Sequence, residues 1–444
     1  KAPQRPDPDQ RTPRKPRRPH RRNSRSGERR RPLSGILYTV PRYPALALMN
    51  ATWFFCLGGL GVFFPFYSLY LHENAGLDAT QVGMVYAVLP LIGLFAQPLW
   101  GQIADRTGSR SRILALLAAG TAIGYVSLFF CKDFVSLLFG TALLACFSSA
   151  LIPSSVAVTL AITKDAGRRA FGMTRAWGTL GFLTLVILFP PVLHFSQSLR
   201  GLVAIEGGPS EPGLEIMFIG AGLMVLICAL VARRLPQTGA ITVRASRGDW
   251  RRLLRHTPFV RLLFFVLLAY FFLQGPMILL PIFVRAHGGS LDAVSWMWIP
   301  MLLIEIPVIA LLGETLARIG ARGLLATGVI AGGLRWLVCG LSSDLSWIFV
   351  VQILHGITVA GLILGAPLYV DAVVPARLRS TGQGMLAMVG FSLGGISSNL
   401  SAGWLFENIG PDAPYLAGGI GALILGCTIP LLIPPAVRAE TDEE

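Results

Sequence analysis

The chain has 444 residues, 53% of them hydrophobic and 14% charged, with a mean hydropathy of +0.62. Soluble globular proteins carry about 25% charge, so this composition excludes that class and points to an integral membrane protein. The net charge of +15 does not mark a nucleic-acid binder, because 14 of the 38 Lys and Arg residues lie in the first 42 positions and most others sit in short loops.

Residues 1–42 are rich in Pro, Arg and Lys, as in RTPRKPRRPHRRNSRSGERRRP. Such a stretch buries too little apolar surface to offset its ordering cost, so a disordered basic tail is expected. Three readings of it stand: an anchor to anionic lipid, a nucleic-acid binder, or an extension without function. The quoted string has no Phe, Tyr or Trp on which bases would stack, which favours the electrostatic or inert readings. Because the chain begins at Lys1 rather than Met, it is expected to be a fragment or a trimmed product.

The first apolar run, about 44–71, exceeds the ~7–15 residues of a signal-peptide core and is rich in aromatics. It reads as a membrane span. Further runs near the ~20 residues a bilayer needs lie at about 80–104, 112–131, 134–161, 171–195, 214–232, 259–284, 292–317, 323–342, 345–371, 379–406 and 413–433. The sequence thus predicts an all-α integral membrane fold of twelve transmembrane helices.

Charge in the loops tests the count. With the N-terminus inside, inner loops after residue 42 hold 19 Lys and Arg, with Arg438 in the C-terminal tail. Outer loops hold Lys132, Arg200 and Arg285 alone. This alternation puts both termini in the cytoplasm. The expected organisation is a tail (1–42), a six-helix bundle (43–232), a cytoplasmic linker (233–258), a second six-helix bundle (259–433) and a C-terminal tail (434–444). Within the linker, GDWRRLLRHTP starts with Asp249 as an N-cap and places Trp250, Leu253 and Leu254 on one face. That helix lies on the membrane surface or is a mere connector.

A repeat joins the halves. The loop after the second span reads Gly101-Gln-Ile-Ala-Asp105-Arg106-Thr-Gly108-Ser-Arg110. The loop after the eighth reads Gly313-Glu-Thr-Leu-Ala-Arg318-Ile-Gly320-Ala-Arg322. Parallel repeats of this size are one transporter design. In the first copy, Gly101 lets helices approach closely. Asp105 can pair with an inner-loop Arg or a helix N-terminus and so hold one conformation closed.

Three consecutive spans each carry one ionisable residue near the middle: Glu305, Arg335 and His355. A lone charge at bilayer depth costs from about 2.5 to more than 10 kcal/mol, so the expected arrangement turns all three inward around a wet cavity. A carboxylate whose proton affinity changes as Arg335 or water comes and goes can load and release a proton. His355 can orient Glu305, carry a proton or touch solute. Pro307 frees backbone groups and marks a bend. A static electrostatic lock between helices is the alternative.

GQIADRTGSR resembles the signature loop of the major facilitator superfamily, with Ser109 where a second basic residue is usual. FGMTRAWGTLGF (171–182), ARIGARGLLATGVIAGGLRWL (317–337), QILHGIT (352–358) and VPARLRSTGQG (374–384) resemble its phenylpropionate-permease branch, itself similar to lactose permease and nucleoside–proton symporters. The resemblance implies a coupled acid, arginine and histidine at Glu305, Arg335 and His355, and a substrate-binding arginine at Arg175. Two departures stand out. SSVAVTLAI lacks the acid of the fourth helix, and Thr358 replaces a glutamate one turn after the histidine. Trp177, Asn50, Tyr67, Gln97, Gln274 and Gln383 are further candidates for the cavity lining.

Three functions compete: a proton-linked secondary transporter of an aromatic or carboxylic acid, nucleoside or sugar; a passive facilitator or exchanger; and a receptor that keeps the fold without transport. Neither paired catalytic carboxylates nor a G-x-S-x-G or Walker motif occurs, so an enzyme is not expected. No cofactor or metal is expected either. The expected partners are solute, protons and bilayer lipid, without nucleic acid. A monomer in a bacterial inner membrane is the default.

Overall fold

The computed structural model describes residues 44–164, 168–203, 211–237 and 249–435. The basic tail 1–42, the linker stretch 238–248 and the C-terminal stretch 436–444 lie outside the described residues. Among the described residues there is no strand. A helix covers each apolar run read from the sequence. They are α1 (Pro44–Asn74), α2 (Ala79–Thr107), α3 (Arg110–Leu128), α4 (Phe134–Ile162), α5 (Arg168–Arg200), α6 (Ile216–Ala232), α7 (Thr257–Ala286), α8 (291–319), α9 (321–341), α10 (Leu345–Val373), α11 (Ala376–Asn408) and α12 (Ala413–Leu432). Ten helices among the described residues are long and apolar enough to cross a membrane; α6, with 17 residues, is shorter.

Local chemistry sets the helix ends. Asp78 accepts from the Gln81 N–H at 2.7 Å while the Gln81 side chain accepts from the Asp78 N–H at 3.2 Å, which starts α2. Asp133 starts α4 in the same way, accepting from the Ser136 N–H at 3.1 Å. Gly108 ends α2 at φ 62°, and Gly320 separates α8 from α9 at φ 68°. A side chain disfavours this region, so the two copies of the loop turn on corresponding glycines. Gly320, and not Pro307, is the non-helical residue inside Leu291–Leu341. The bend expected at Pro307 does not break the helix.

Packing divides the helices into two sets. In the first, α1 lies on α5 and α6, α3 on α4 and α6, and α2 on α4. In the second, α9 lies on α10 and α12, and α7 on α11 and α12. The sets meet through α2–α11, α5–α8 and α1–α7.

One end of this junction is shut. A Cβ on Gly83 would collide with the Asn399 backbone, and one on Gly403 would lie 2.5 Å from the Ala79 carbonyl oxygen. The Ala79 N–H donates to Glu407 Oε2 at 2.9 Å. At the same end, Arg285 Nε donates to Glu73 Oε1 at 3.0 Å, and Nη2 reaches Glu211 Oε1 at 3.5 Å. About 27 Å further along α2, at ~1.5 Å per residue, Gly101 faces open space with nothing within 4 Å of its Cβ position. The close approach expected at Gly101 is absent: it lines an open groove with Pro153 and Ser154 of α4. Gly172 and Gly384 face open space too.

The linker helix is Asp249–Leu253. Leu253 is buried against the protein, whereas Trp250 and Leu254, one turn apart, are exposed. The single apolar face expected for all three is therefore split, because Leu253 docks on the start of α11.

Candidate functional site

Between the two helix sets lies a cavity of about 450 Å3. Phe64 of α1, Phe182 of α5, Trp298 of α8, Trp336 of α9 and Phe391 of α11 give it an aromatic wall. Trp298 bridges the sets, with its ring 5.6 Å from Phe64 and 5.2 Å from Phe182. Wide π-helical turns at Ala360–Leu364 and Ala387–Gly394 place Leu362 and Phe391 in the wall. Such turns recur at functional sites.

Arg335 and His355 face the cavity together. Arg335 is only 2% exposed, and each of its three guanidinium nitrogens has a partner. Nε donates to Gln352 Oε1 at 2.7 Å, and Nη1 lies 3.0 Å from His355 Nδ1. Nη2 touches Met277 Sδ at 3.3 Å, and the group stacks 3.9 Å from the Trp336 ring centroid. A guanidinium has no acceptor, so His355 Nδ1 must present its lone pair, and the ring proton sits on Nε2. Gln352 is held in turn by donating to the Ile348 carbonyl at 2.6 Å. Among the described lining residues there is no acid.

Glu305 stands apart from this pair. Its backbone touches α10, where a Cβ on Gly356 would lie 2.9 Å from Glu305 N. Its carboxylate lies within electrostatic reach of Arg175 of α5, across the junction, without a direct contact among the described residues. No ion pair within 4.0 Å involves Glu305 among the described residues. The reason is helical geometry: α8 lies between α10 and α5, and one residue can meet one neighbour with its backbone and the other with its side chain. The expected three-membered cluster is thus a pair plus an acid that looks to the other helix set.

Arg175 lies over the Trp53 ring at 4.7 Å and, among the described residues, makes only a long 3.5 Å hydrogen bond to Thr179 Oγ1. Near it, the Asn50 amide satisfies its surroundings when it accepts from Trp177 Nε1 and donates to Thr174 Oγ1, both at 3.2 Å. These two residues tie α1 to α5 and do not line the central cavity. Tyr67 is a core residue, hydrogen-bonded to Thr141 Oγ1 at 2.6 Å and stacked on Phe63. Gln97 lies in a separate groove of about 230 Å3 with Gly101, Asp105 and Arg110. Gln383 donates to the Pro367 carbonyl at 3.0 Å in a side pocket beside Tyr270 and Phe391. Of the polar lining candidates, Gln274 alone reaches the central cavity.

In the first loop copy, Asp105 pairs with Arg110 at 2.8 Å across its own turn, and Arg106 is exposed. In the second, Arg322 donates to the Ile433 carbonyl at 3.3 Å, Arg318 is exposed, and Gly313 lies within α8. Sequence reasoning missed Gln352, Asn399, Tyr86 and Trp298. The QILHGIT string held one signal: Gln352 precedes His355 by three residues, one helical turn on the same face.

The comparisons agree with this architecture. The maltose permease of Geobacillus stearothermophilus is 29% identical over 403 residues, covering 88% of this chain and 94% of the relative. A probable 3-phenylpropionic acid transporter of Escherichia coli K12 is 27% identical over 340 residues, covering 74% and 82%. The crystal structure of the nucleoside transporter NupG superposes with a TM-score of 0.74 at 16% identity, over 88% of this chain and 99% of that one. These relatives are transporters, in line with the expectation that the chain is not an enzyme. The MFS_1 like family matches residues 46–417, from the first turn of α1 into α12, and on that extent the chain belongs to it.

Proposed function

We propose that the protein is a proton-coupled secondary transporter that moves a small aromatic carboxylate by alternating access. The observation that carries this reading is the Arg335–His355 pair, without an acidic partner, on an aromatic cavity between two helix sets. A buried cation of this kind suits a carboxylate, and the flat walls suit a ring. A sugar would need a polar partner for each hydroxyl it brings out of water.

The reading includes twelve spans in two six-helix bundles. Ten helices meet the length and hydropathy of a span, and α6 and α8 supply the others. The loop charges favour cytoplasmic termini in an inner membrane. On that orientation the shut end faces out and the cavity opens toward the cytoplasm. Glu305 carries the proton. Its partner Arg175 belongs to the other bundle, so rocking of the bundles changes the company of its carboxylate.

Reconstituted vesicles test this. An imposed inward proton gradient should drive concentrative uptake of 3-phenylpropionate, and a protonophore should abolish it. Uptake of maltose without phenylpropionate would replace the carboxylate reading with a sugar one. Binding of either without flux would replace transport with a receptor.

A further inference from the structure

The cavity wall holds a second polar point that the Arg335–His355 pair does not use. Gln274 of α7 and Asn399 of α11 both line it. Gln274 Oε1 and Asn399 Oδ1 are buried without a hydrogen-bond partner. Asn399 as a whole is 1% exposed. Native proteins rarely leave buried amide oxygens unsatisfied unless a ligand or water completes them.

The niche around them is shaped by its neighbours. A Cβ on Gly395 would lie 2.9 Å from both Gln274 amide atoms, so the missing side chain makes room for that amide. Ser398 braces α7 against α11 by accepting from the Gly275 N–H at 2.6 Å and donating to the Phe271 carbonyl. Tyr86 also brings a buried hydroxyl to the wall, with Ser68 beside it.

Gln274 is three residues before Met277, whose sulfur touches Arg335. On α7, Gln274 thus stands about one helical turn from the residue that touches the cation. The Tyr270 and Phe391 rings lie on the same wall. An amide offers both an acceptor and a donor, and so does a hydroxyl. A hydroxyl donates its one proton to one amide oxygen and accepts from the NH2 of the other amide once that amide is turned, whereas a carboxylate offers only acceptors and would leave both amide oxygens unpaired.

We infer that Gln274 and Asn399 form a specificity subsite for a hydroxyl group carried by the solute at a distance from its carboxylate, so that the preferred cargo is a hydroxylated aromatic acid. This rests on the carboxylate reading above. A site built to pair a hydroxyl rejects the analogue that lacks it, because its own polar groups are then left buried and bare.

The test is a matched pair of ligands, 3-(4-hydroxyphenyl)propionate and 3-phenylpropionate, titrated onto the purified full chain by tryptophan fluorescence. The hydroxylated acid should bind at least tenfold more tightly. In Asn399→Leu, and separately in Gln274→Met, that ratio should fall to within twofold. Gln274→Met keeps the length of the side chain and serves if Asn399→Leu does not fold, as judged by thermal unfolding. Equal binding of the two acids to the unmodified protein overturns this inference and leaves the carboxylate reading standing. So does a ratio that survives in a folded variant. If neither acid binds, the carboxylate reading falls and this inference falls with it.

Discussion

Arg335 and Arg175 are two cations in the same membrane protein, and they keep opposite company. Among the described residues, every partner of Arg335 comes from α7 to α10: Met277, Met301, Trp336, Gln352 and His355. Arg175 rests on Trp53 of its own set, and the acid it interacts with is Glu305 of the other. If the sets rock as rigid bodies, Arg335 carries its environment with it, whereas Arg175 and Glu305 part and meet again. A charge with fixed partners is suited to binding. A charge pair split across a moving junction is suited to coupling, because motion alters the stability of the ionised carboxylate.

The largest expected effect breaks this division at the coupling side. In Glu305→Gln, uphill accumulation driven by a proton gradient should be lost entirely, while solute exchange across vesicles persists. Normal concentrative uptake in that variant would return the coupling role to Arg335 and His355. Next comes the binding side. Arg335→Lys cannot serve Gln352 and His355 in two directions at once. Losing charged hydrogen bonds of this kind costs about 1.5–3 kcal/mol, roughly ten- to a hundredfold in affinity. Calorimetric titration with an aromatic acid measures it. An unchanged affinity would show that the buried arginine is structural.

How much of this was legible in the residues depends on the kind of signal. The helices were legible because an apolar run of bilayer length has few alternatives, and predicted and observed ends agree closely, as for 134–161 against Phe134–Ile162. The repeat was legible because Gly108 and Gly320 both sit at positive φ. Position along the helices was legible too, since Glu305, Arg335 and His355 all lie inside helices and away from their ends. Azimuth was not. Which way Glu305 turns depends on how α8 is rotated against α5 and α10, and a uniformly apolar helix has no polar face to announce it. Neutral partners such as Gln352 and Asn399 were passed over for the same reason: an amide in an apolar run carries no sign of which neighbour it meets.

A smaller effect concerns the shut end. Arg285 holds Glu73 and Glu211, and all three side chains are less than 20% exposed. Partly buried pairs of this geometry are worth about 1 kcal/mol after solvent screening. Arg285→Gln should therefore shift the balance toward the form in which this end is open by roughly fivefold. Spin–spin distances between labels at positions 75 and 288 would read it as a growing long-distance population. If the distribution does not change, the backbone contacts of Gly83 and Gly403 and the Ala79–Glu407 hydrogen bond suffice to keep that end closed.

The smallest effect separates the two copies of the repeated loop. Asp105 is 57% exposed in its pair with Arg110, and an exposed pair contributes roughly 0–1 kcal/mol. Asp105→Asn should leave the thermal unfolding temperature nearly unchanged. The second copy has no acid at the matching place, where Leu316 to Arg322 reads LARIGAR, and Arg322 reaches the Ile433 carbonyl instead. A gate that works by Asp105 closing on the other bundle must do so in the conformation opposite to this one, since Gly101 beside it now faces open space. Asp105→Asn should then slow the return of the empty carrier, and with it net uptake, while exchange between loaded states is less affected. Equal slowing of both would mean that Asp105 only closes its own turn.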